Sequence, residues 1–255
     1  MTDISTPACA QCREHHALPF AISMAFQPII DAKTLEVFGY EALVRGINGE
    51  GAGQILSQVS DDQLYRFDQQ CRVTAIEWAS KLKLDKMLSI NFMPNAVYQA
   101  DRCIRTTLKT AERCQFPVKL IMFEFTENER ITDSSHLKSI INCYKELGFR
   151  TAIDDFGSGY SGLELLADLQ TDIIKLDMTL IKDIDQSPAR QIIVRHTIAM
   201  LHELSCSVLA EGIETAAEVQ WLQAAGVDLM QGYLFAKPGF EQLPTADVSA
   251  LTPTA

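Results

Sequence analysis

From Lys86 to Gly157 the chain reads KMLSINFM (86–93), KLIMFEFTE (119–127) and RTAIDDFG (150–157), three short apolar runs parted by longer segments of helical period. The spacers run roughly from Asn95 to Arg113 and from Ser134 to Leu147, the second stopped by Gly148, a residue that accepts the left-handed backbone closing a helix. Strand, helix, strand, helix, strand is the pattern of parallel strands joined by helical crossovers. It continues with DIIKLDM (172–178), a helix predicted from Pro188 to Leu204, SVLAEGIE (207–214), a helix opened by Thr215 and Glu218 and ended at Gly226, and DLMQGYLF (228–235). Upstream, Ser60 and Gln63 have capping-box spacing ahead of Leu64, Phe67, Cys71, Trp78 and Leu82, which predicts one more helix. The two runs before it, MAFQPII (24–30) and VFGYEALVR (37–45), are joined only by DAKTLE. That connection is too short for a helical crossover, so these two are expected to pair antiparallel. A single α/β barrel, irregular at its start, accounts for the whole pattern. An open doubly wound sheet is the alternative, but it would gather polar groups at one switch point, whereas nearly every run here carries a polar residue at its end.

Composition narrows the possible functions. With 255 residues, 47% of them apolar, the chain has material for one sizeable core and one large domain. Its 22 basic and 33 acidic residues leave a net charge of −11, which disfavours DNA, RNA and anionic membrane as partners and suits an acidic metal site. A phosphate-bearing substrate would then need local cations. The first residues lack the pattern of a signal peptide and no apolar run is long enough to span a membrane, so a cytoplasmic location is expected. Seven cysteines, an odd number scattered mainly through predicted helices and strands, fit reduced thiols better than disulfides. The expected division is an arm at 1–23, the barrel at 24–243 and a flexible tail at 244–255.

The runs carry an unusual load of polar groups: Glu41, Asn91, Glu124, Asp154, Asp155, Lys175, Glu211 and Gln231. Buried carboxylates need compensating charge, and metal ions supply it. Strand alternation puts Glu41, Leu43 and Arg45 on one face, so Glu41 can point inward with Arg45 near the rim; by the same parity Glu124 lies with Thr126 and Lys175 with Asp177. Adjacent Asp154 and Asp155 diverge if their strand stays regular. Asn91, Glu124 and Asp154 form a hard-oxygen set suited to Mg²⁺ or Mn²⁺, while no His or Cys falls at these strand ends to favour zinc. Two such ions about 3.5–4 Å apart would clamp a phosphodiester and lower the pKa of a bound water. Lys175 would hold that water or the developing charge. The plainer alternative is that each acid is simply paired with an Arg or Lys, with Lys175 neutralising Asp177 or Asp154, and Asp177 as its expected partner in either case.

The segments FQPII, YEALVRG, INFMP, FEFTE, DDFGSGYSGL, IKLD, AEGIE and QGYLFAKP, in this order, resemble the EAL-domain family of cyclic di-GMP phosphodiesterases over about Met24 to Phe240. The resemblance implies a modified TIM (β/α)8 barrel with an antiparallel first strand, which opens cyclic di-GMP to linear 5′-pGpG with two Mg²⁺ or Mn²⁺ ions and is inhibited by Ca²⁺. It further implies that Glu41, Asn91, Glu124 and Asp154 are metal ligands, that Asp154 and Asp155 serve the second ion, and that Lys175 and Glu211 position and deprotonate the attacking water. Gln231 is similar to the family's active-site glutamine and Glu127 to the glutamate anchoring the DDFG loop. Gln27, Leu43 and Arg45 are similar to substrate-contacting positions. The chain departs from the family at Phe125, usually Leu or Ile, and at Gly162, usually Ser or Asn, in a loop that in this family also shapes a homodimer. A catalytically silent cyclic di-GMP receptor acting through a regulatory protein partner is the rival from another class.

Other residues carry weaker implications. Phe235 and Pro238 either line a base pocket or cover the barrel end. Glu214 either serves the site or starts the helix at Thr215, since acids favour that end. His136, His196 and His202 fall on predicted helices, away from the strand ends. Cys9, Cys12, His15 and His16 form a C-x-x-C-x-x-H-H cluster that would hold Zn²⁺, although its inner loop is shorter than that of a zinc finger.

Overall fold

The computed structural model describes residues 18–97, 99–126, 134–159 and 162–251. Nine strands are present among them: β1 (Ile22–Asp31), β2 (Val37–Gly46), β3 (Met87–Asn91), β4 (Ile121–Thr126), β5 (Arg150–Phe156), β6 (Ile173–Leu176), β7 (Ser207–Ala210), β8 (Leu229–Met230) and β9 (Gly239–Phe240). Strands β2 to β8 run parallel in sequence order, and β1 closes the ring by pairing antiparallel with both β8 and β2. The fold is thus a TIM barrel modified at its first strand, as the short DAKTLE connection requires. Strand β9 adds a short antiparallel pairing to β1 through Ala25 and Phe26.

The helix signals correspond to physical caps. Ser60 and Gln63 make their capping box on a 3-10 turn that leads into helix Leu64–Lys81, and Thr215 and Glu218 make theirs on helix Ala216–Ala225. Gly148 and Gly226 take φ of +89° and +90° where their helices end. Pro188 occupies the first turn of helix Pro188–Glu203. The segment read as one helix from Asn95 to Arg113 is instead a 3-10 turn at Pro94–Ala96 followed by helices Ala100–Cys103 and Arg105–Arg113. Gln99 is extended at φ −143°, ψ 111° and breaks the run.

Two apolar layers form the core. The larger lies between strands and helices, and a smaller one fills the barrel interior with Ile29, Met87, Met122, Ala152, Ile173, Leu209 and Leu229. Moving two residues along each of these strands from that inner layer gives Gln27, Ser89, Glu124, Asp154, Lys175, Glu211 and Gln231. The first five lie on their strands and follow the period of two, while Glu211 and Gln231, each one residue past its strand, are joined to the same layer by contacts with Lys175 and Glu41. The apolar plug is their floor.

One ion pair sits in the outer core. Arg72 on helix Leu64–Lys81 lies 2.8 Å from Asp68 and donates to the Tyr144 hydroxyl at 2.8 Å, with its guanidinium 4.9 Å from the Phe123 ring centroid. Asp68 also accepts the Met93 backbone N–H at 3.0 Å, which fixes the segment just beyond Asn91. Burying this pair is tolerable because both charges and the ring faces satisfy one another.

Residues 244–251 are held against the barrel: the Tyr40 hydroxyl donates to the Pro244 carbonyl, Asp247 N–H donates to the Phe235 carbonyl, and Leu243, Ala246, Val248 and Leu251 pack on the core. Apolar residues at 243, 246, 248 and 251 give that segment enough surface to bury. Five cysteines within the described residues are free thiols, and no helix among those residues is long and apolar enough to cross a membrane. Cys9, Cys12, His15, His16 and Glu127 lie outside the described residues.

Candidate active site

Lys175 is the centre of the polar layer. Its Nζ lies 2.9 Å from Glu124 Oε2, 2.9 Å from Asp154 Oδ1, 2.9 Å from Glu211 Oε1 and 3.8 Å from Glu41 Oε2, and both Lys175 and Glu124 have 0% exposure. Three strands, β2, β4 and β5, and the residue just beyond β7 therefore direct carboxylates at a cation rising from β6. Burial opposes the charge on Lys175, but Asp154, Glu124, Glu211 and Glu41 outweigh it and hold the ammonium well above its ordinary pKa. Asp177, the partner expected from parity, is used otherwise. Its carboxylate accepts the Thr179 N–H at 2.9 Å and the Thr179 hydroxyl, capping helix Met178–Ile181. Strand β6 ends at Leu176, so alternation no longer governs where Asp177 points.

Glu41 connects the lysine to the amides. Asn91 Nδ2 donates to Glu41 Oε1 at 2.9 Å and Gln231 Nε2 donates to Glu41 Oε2 at 2.8 Å. Gln231 also reaches Gln27 Oε1 at 3.3 Å, and Gln27 Nε2 donates to the Ala236 carbonyl at 3.2 Å. Ser89, which sequence reasoning passed over, donates to Glu124 Oε1. Its signal was its position two residues before Asn91 on one strand face.

Asp154 and Asp155 do not diverge. Asp155 adopts φ +56°, the β5–β6 register shifts between Ile153 and Phe156, and the bulge brings oxygens of Asp154, Asp155 and Glu211 within 4.8 Å of one another. A left-handed Asp is a locally strained conformation of the kind that clusters at functional sites. Glu41, Glu124 and Asp154 form a second such group, also within 4.8 Å, so Asp154 belongs to both.

Four carboxylates around a single ammonium leave an excess of negative charge in a buried place. The excess shows in the acids themselves. Burial pushes Glu124 up to about 8, helped by Glu41 and Asp154 and opposed by Lys175. Burial and the neighbouring Asp154 raise Glu211 well above the carboxylate range, and burial with Asp154 pushes Asp155 up to about 6. Two hard-oxygen groups with one shared ligand and too little positive charge fit divalent cations of the Mg²⁺ or Mn²⁺ class.

Two cavities flank this layer. One of about 210 Å³ is lined by Gln27, Glu41, Met178, Glu211, Gly212, Glu214, Gln231, Gly232 and Tyr233. The other, about 610 Å³ and mostly apolar, includes Leu43, Leu56, Asn91, Phe92, Met93 and Asn95. Of the residues expected to meet substrate, Leu43 is half-buried in the second cavity. Arg45 is half-buried at the rim with Nη1 donating to the Val44 carbonyl at 2.7 Å. Phe235 is packed into the core at 2% exposure and Pro238 is half-buried. The exposed aromatic at the mouth is Tyr233, at 56%. It follows Gln231 by two residues, the spacing that could have found it. The histidines stand apart from the site: His202 pairs with Asp228 at 2.8 Å, His136 meets the Val97 carbonyl and His196 is exposed on its helix.

The model of one protein family, the EAL domain, matches residues 20–238. The chain belongs to the EAL domain family. Among EAL proteins of known structure it resembles a standalone versatile EAL protein from Vibrio cholerae O395 in its c-di-GMP-bound form, with 58% identity, a TM-score of 0.88 and coverage of 91% of this chain and 98% of that one. The manganese/cy-diGMP complex of Klebsiella pneumoniae BlrP1 is 32% identical with a TM-score of 0.82, over 89% of this chain and 58% of that one. Curated EAL relatives include the blue light- and temperature-regulated antirepressor BluF of Escherichia coli, 32% identical over 87% of this chain and 55% of its own length. Another is the cyclic di-GMP phosphodiesterase PA2567 of Pseudomonas aeruginosa, 30% identical over 84% of this chain and 38% of its own length. The chain thus spans about half or less of the curated relatives it matches first.

Proposed function

We propose that this EAL protein hydrolyses cyclic di-GMP to linear 5′-pGpG with the help of two divalent cations. The observation carrying this reading is Lys175 enclosed by Glu41, Glu124, Asp154 and Glu211, with too little positive charge for the acids present. Glu41, Asn91, Glu124 and Asp154 would hold one ion, and Asp154, Asp155 and Glu211 the other. Mg²⁺ or Mn²⁺ there would polarise a phosphoryl oxygen and lower the pKa of water. Glu211, raised above its ordinary range by burial, is the proton acceptor for the attacking water, and Lys175, 2.9 Å from it, orients that water and steadies the charge gathering on phosphorus oxygens. The water oxygen bonds to phosphorus, the bond from phosphorus to the ribose 3′-oxygen breaks, and that oxygen leaves as a hydroxyl once it takes a proton. The phosphate stays on the 5′ side, giving pGpG.

A cyclic dinucleotide has a base on either side of each scissile bond. The two cavities suit that shape, since Glu41 is hydrogen-bonded both to Asn91 in the larger and to Gln231 in the smaller. The names of relatives support a second reading: BluF is called an antirepressor, so a cyclic di-GMP receptor working through a protein partner is the rival. Purified protein incubated with cyclic di-GMP and Mn²⁺ is expected to yield pGpG. Binding without product would leave the receptor, and neither binding nor product would remove both readings.

A further inference from the structure

Asn91 stands where its strand gives out. It is the last residue of β3 and the exposed one, and beyond it the chain turns away into the 3-10 turn Pro94–Ala96. Two backbone hydrogen bonds hold that exit. Phe92 N–H donates to the Glu124 carbonyl at 2.8 Å, within the barrel wall, and Met93 N–H donates to Asp68 Oδ1 at 3.0 Å, on helix Leu64–Lys81 outside it. Pro94 follows with no N–H to add a third. The Asp68 carboxylate therefore ties the strand end to the outer helix layer.

That tie uses buried charge. Asp68 is 2% exposed and Arg72 0%; Arg72 lies 2.8 Å from Asp68, donates to the Tyr144 hydroxyl at 2.8 Å and faces the rings of Phe123 and Phe92, whose centroids are 4.9 and 5.4 Å from its guanidinium. Desolvating two such charges offsets much or all of their attraction, and a well-packed apolar pair in their place is often at least as stable. Stability alone does not call for the ion pair. An apolar pair, however, could not accept the Met93 N–H, two residues from Asn91. Phe92, between them, packs its ring edge-on against Phe123 and Phe125 and against Arg72 itself, so ring and N–H are held by one cluster. We propose that Asp68 is a positioning residue, which through the Met93 N–H fixes the direction in which Asn91 presents its side chain to a cation, with Arg72 holding Asp68 in place. Asn91 Nδ2 is engaged by Glu41 at 2.9 Å, so its amide oxygen is the atom that would meet the metal, and a metal site keeps its affinity only when such atoms are placed to within about 0.5 Å. This rests on the two-cation reading above.

The test compares wild type with Asp68→Asn and with the triple variant Asp68→Leu/Arg72→Met/Tyr144→Phe. Thermal midpoint and exchange of the Met93 amide hydrogen are recorded in metal-free protein, Mn²⁺ affinity by calorimetry without nucleotide, and kcat at saturating Mn²⁺. Asp68→Asn keeps an acceptor for Met93 but leaves Arg72 without its counter-charge, so its thermal midpoint should fall while Mn²⁺ affinity is largely retained. The triple variant removes the ion pair together with the hydroxyl it engages, so its midpoint should stay near that of wild type. In it the Met93 amide should exchange faster and Mn²⁺ affinity should drop about 10- to 100-fold, the usual effect of losing a partner that orients a metal ligand, with kcat at saturating Mn²⁺ much less affected. Stability and metal affinity then change in opposite senses in the two variants, which a merely structural residue would not produce. Wild-type Mn²⁺ affinity in the triple variant, or an affinity that follows the thermal midpoint in both, would overturn the inference while leaving the phosphodiesterase in place. A triple variant unable to fold would overturn it too, since the ion pair would then be required by the fold itself; should Asp68→Asn alone fail to fold, the triple variant decides. A wild type that binds no Mn²⁺ would instead remove the two-cation reading and this inference with it.

Discussion

Lys175 illustrates how one buried residue can be held by the groups it serves. Replacing it with Ala is expected to lower pGpG formation about 100-fold or more, the usual range for a group that handles the reacting proton, and to leave Glu124, Glu211 and Asp154 crowded without their cation. The same crowding sets a pH dependence in metal-free protein. Glu124 is pushed from 4.5 to about 8 in the fold, so the unfolded chain loses this proton first as pH rises. Folded stability from this group is therefore full below pH 4.5 and declines up to about pH 8, where it levels. Thermal unfolding of chelator-treated protein across that interval measures it, and a midpoint that climbs with pH would contradict it. Position at the strand ends singled out the acids that meet Lys175, but parity paired the lysine itself with Asp177, because alternation was carried one residue past the end of β6.

At the level of elements, strand ends are locked to one another. Gly232 follows β8 with its α-carbon against the backbone of Ile213, beyond β7, and a β-carbon at Gly232 would overlap the Ile213 N, C and O atoms. The Ile213 N–H bonds the Gln231 carbonyl at 3.1 Å, so the loops carrying Glu211 and Gln231 move together. Gly232→Ala is expected to cost about 1–3 kcal/mol by overpacking and to reduce turnover, as denaturant unfolding and the pGpG assay would register. Strand order, the antiparallel start and two capping boxes were legible because turn length and cap chemistry are local. The bulge at Asp155 was not, since alternation presumes a regular strand and nothing local marks the register shift to β6. The break at Gln99 escaped for a similar reason: helical period continues on both sides of it.

For the molecule as a whole, a net charge of −11 makes an acidic mouth an unfavourable place for a dinucleotide that is itself an anion. Chelation should therefore weaken cyclic di-GMP binding as well as stop turnover. Mn²⁺ at about 100 times its Kd should stabilise the fold by about 2.7 kcal/mol. Calorimetry of binding with and without chelator, alongside melting curves, checks both. The apolar plug of Ile29, Met87, Met122, Ala152, Ile173, Leu209 and Leu229 shuts the opposite end of the barrel. The barrel is a cup with one doorway, not a tunnel, so under the proposed reaction an opened dinucleotide would have to back out the way the ring came in. Arrivals and departures contend for the same threshold, and progress curves should show accumulating pGpG slowing the reaction in a manner that fresh substrate reverses.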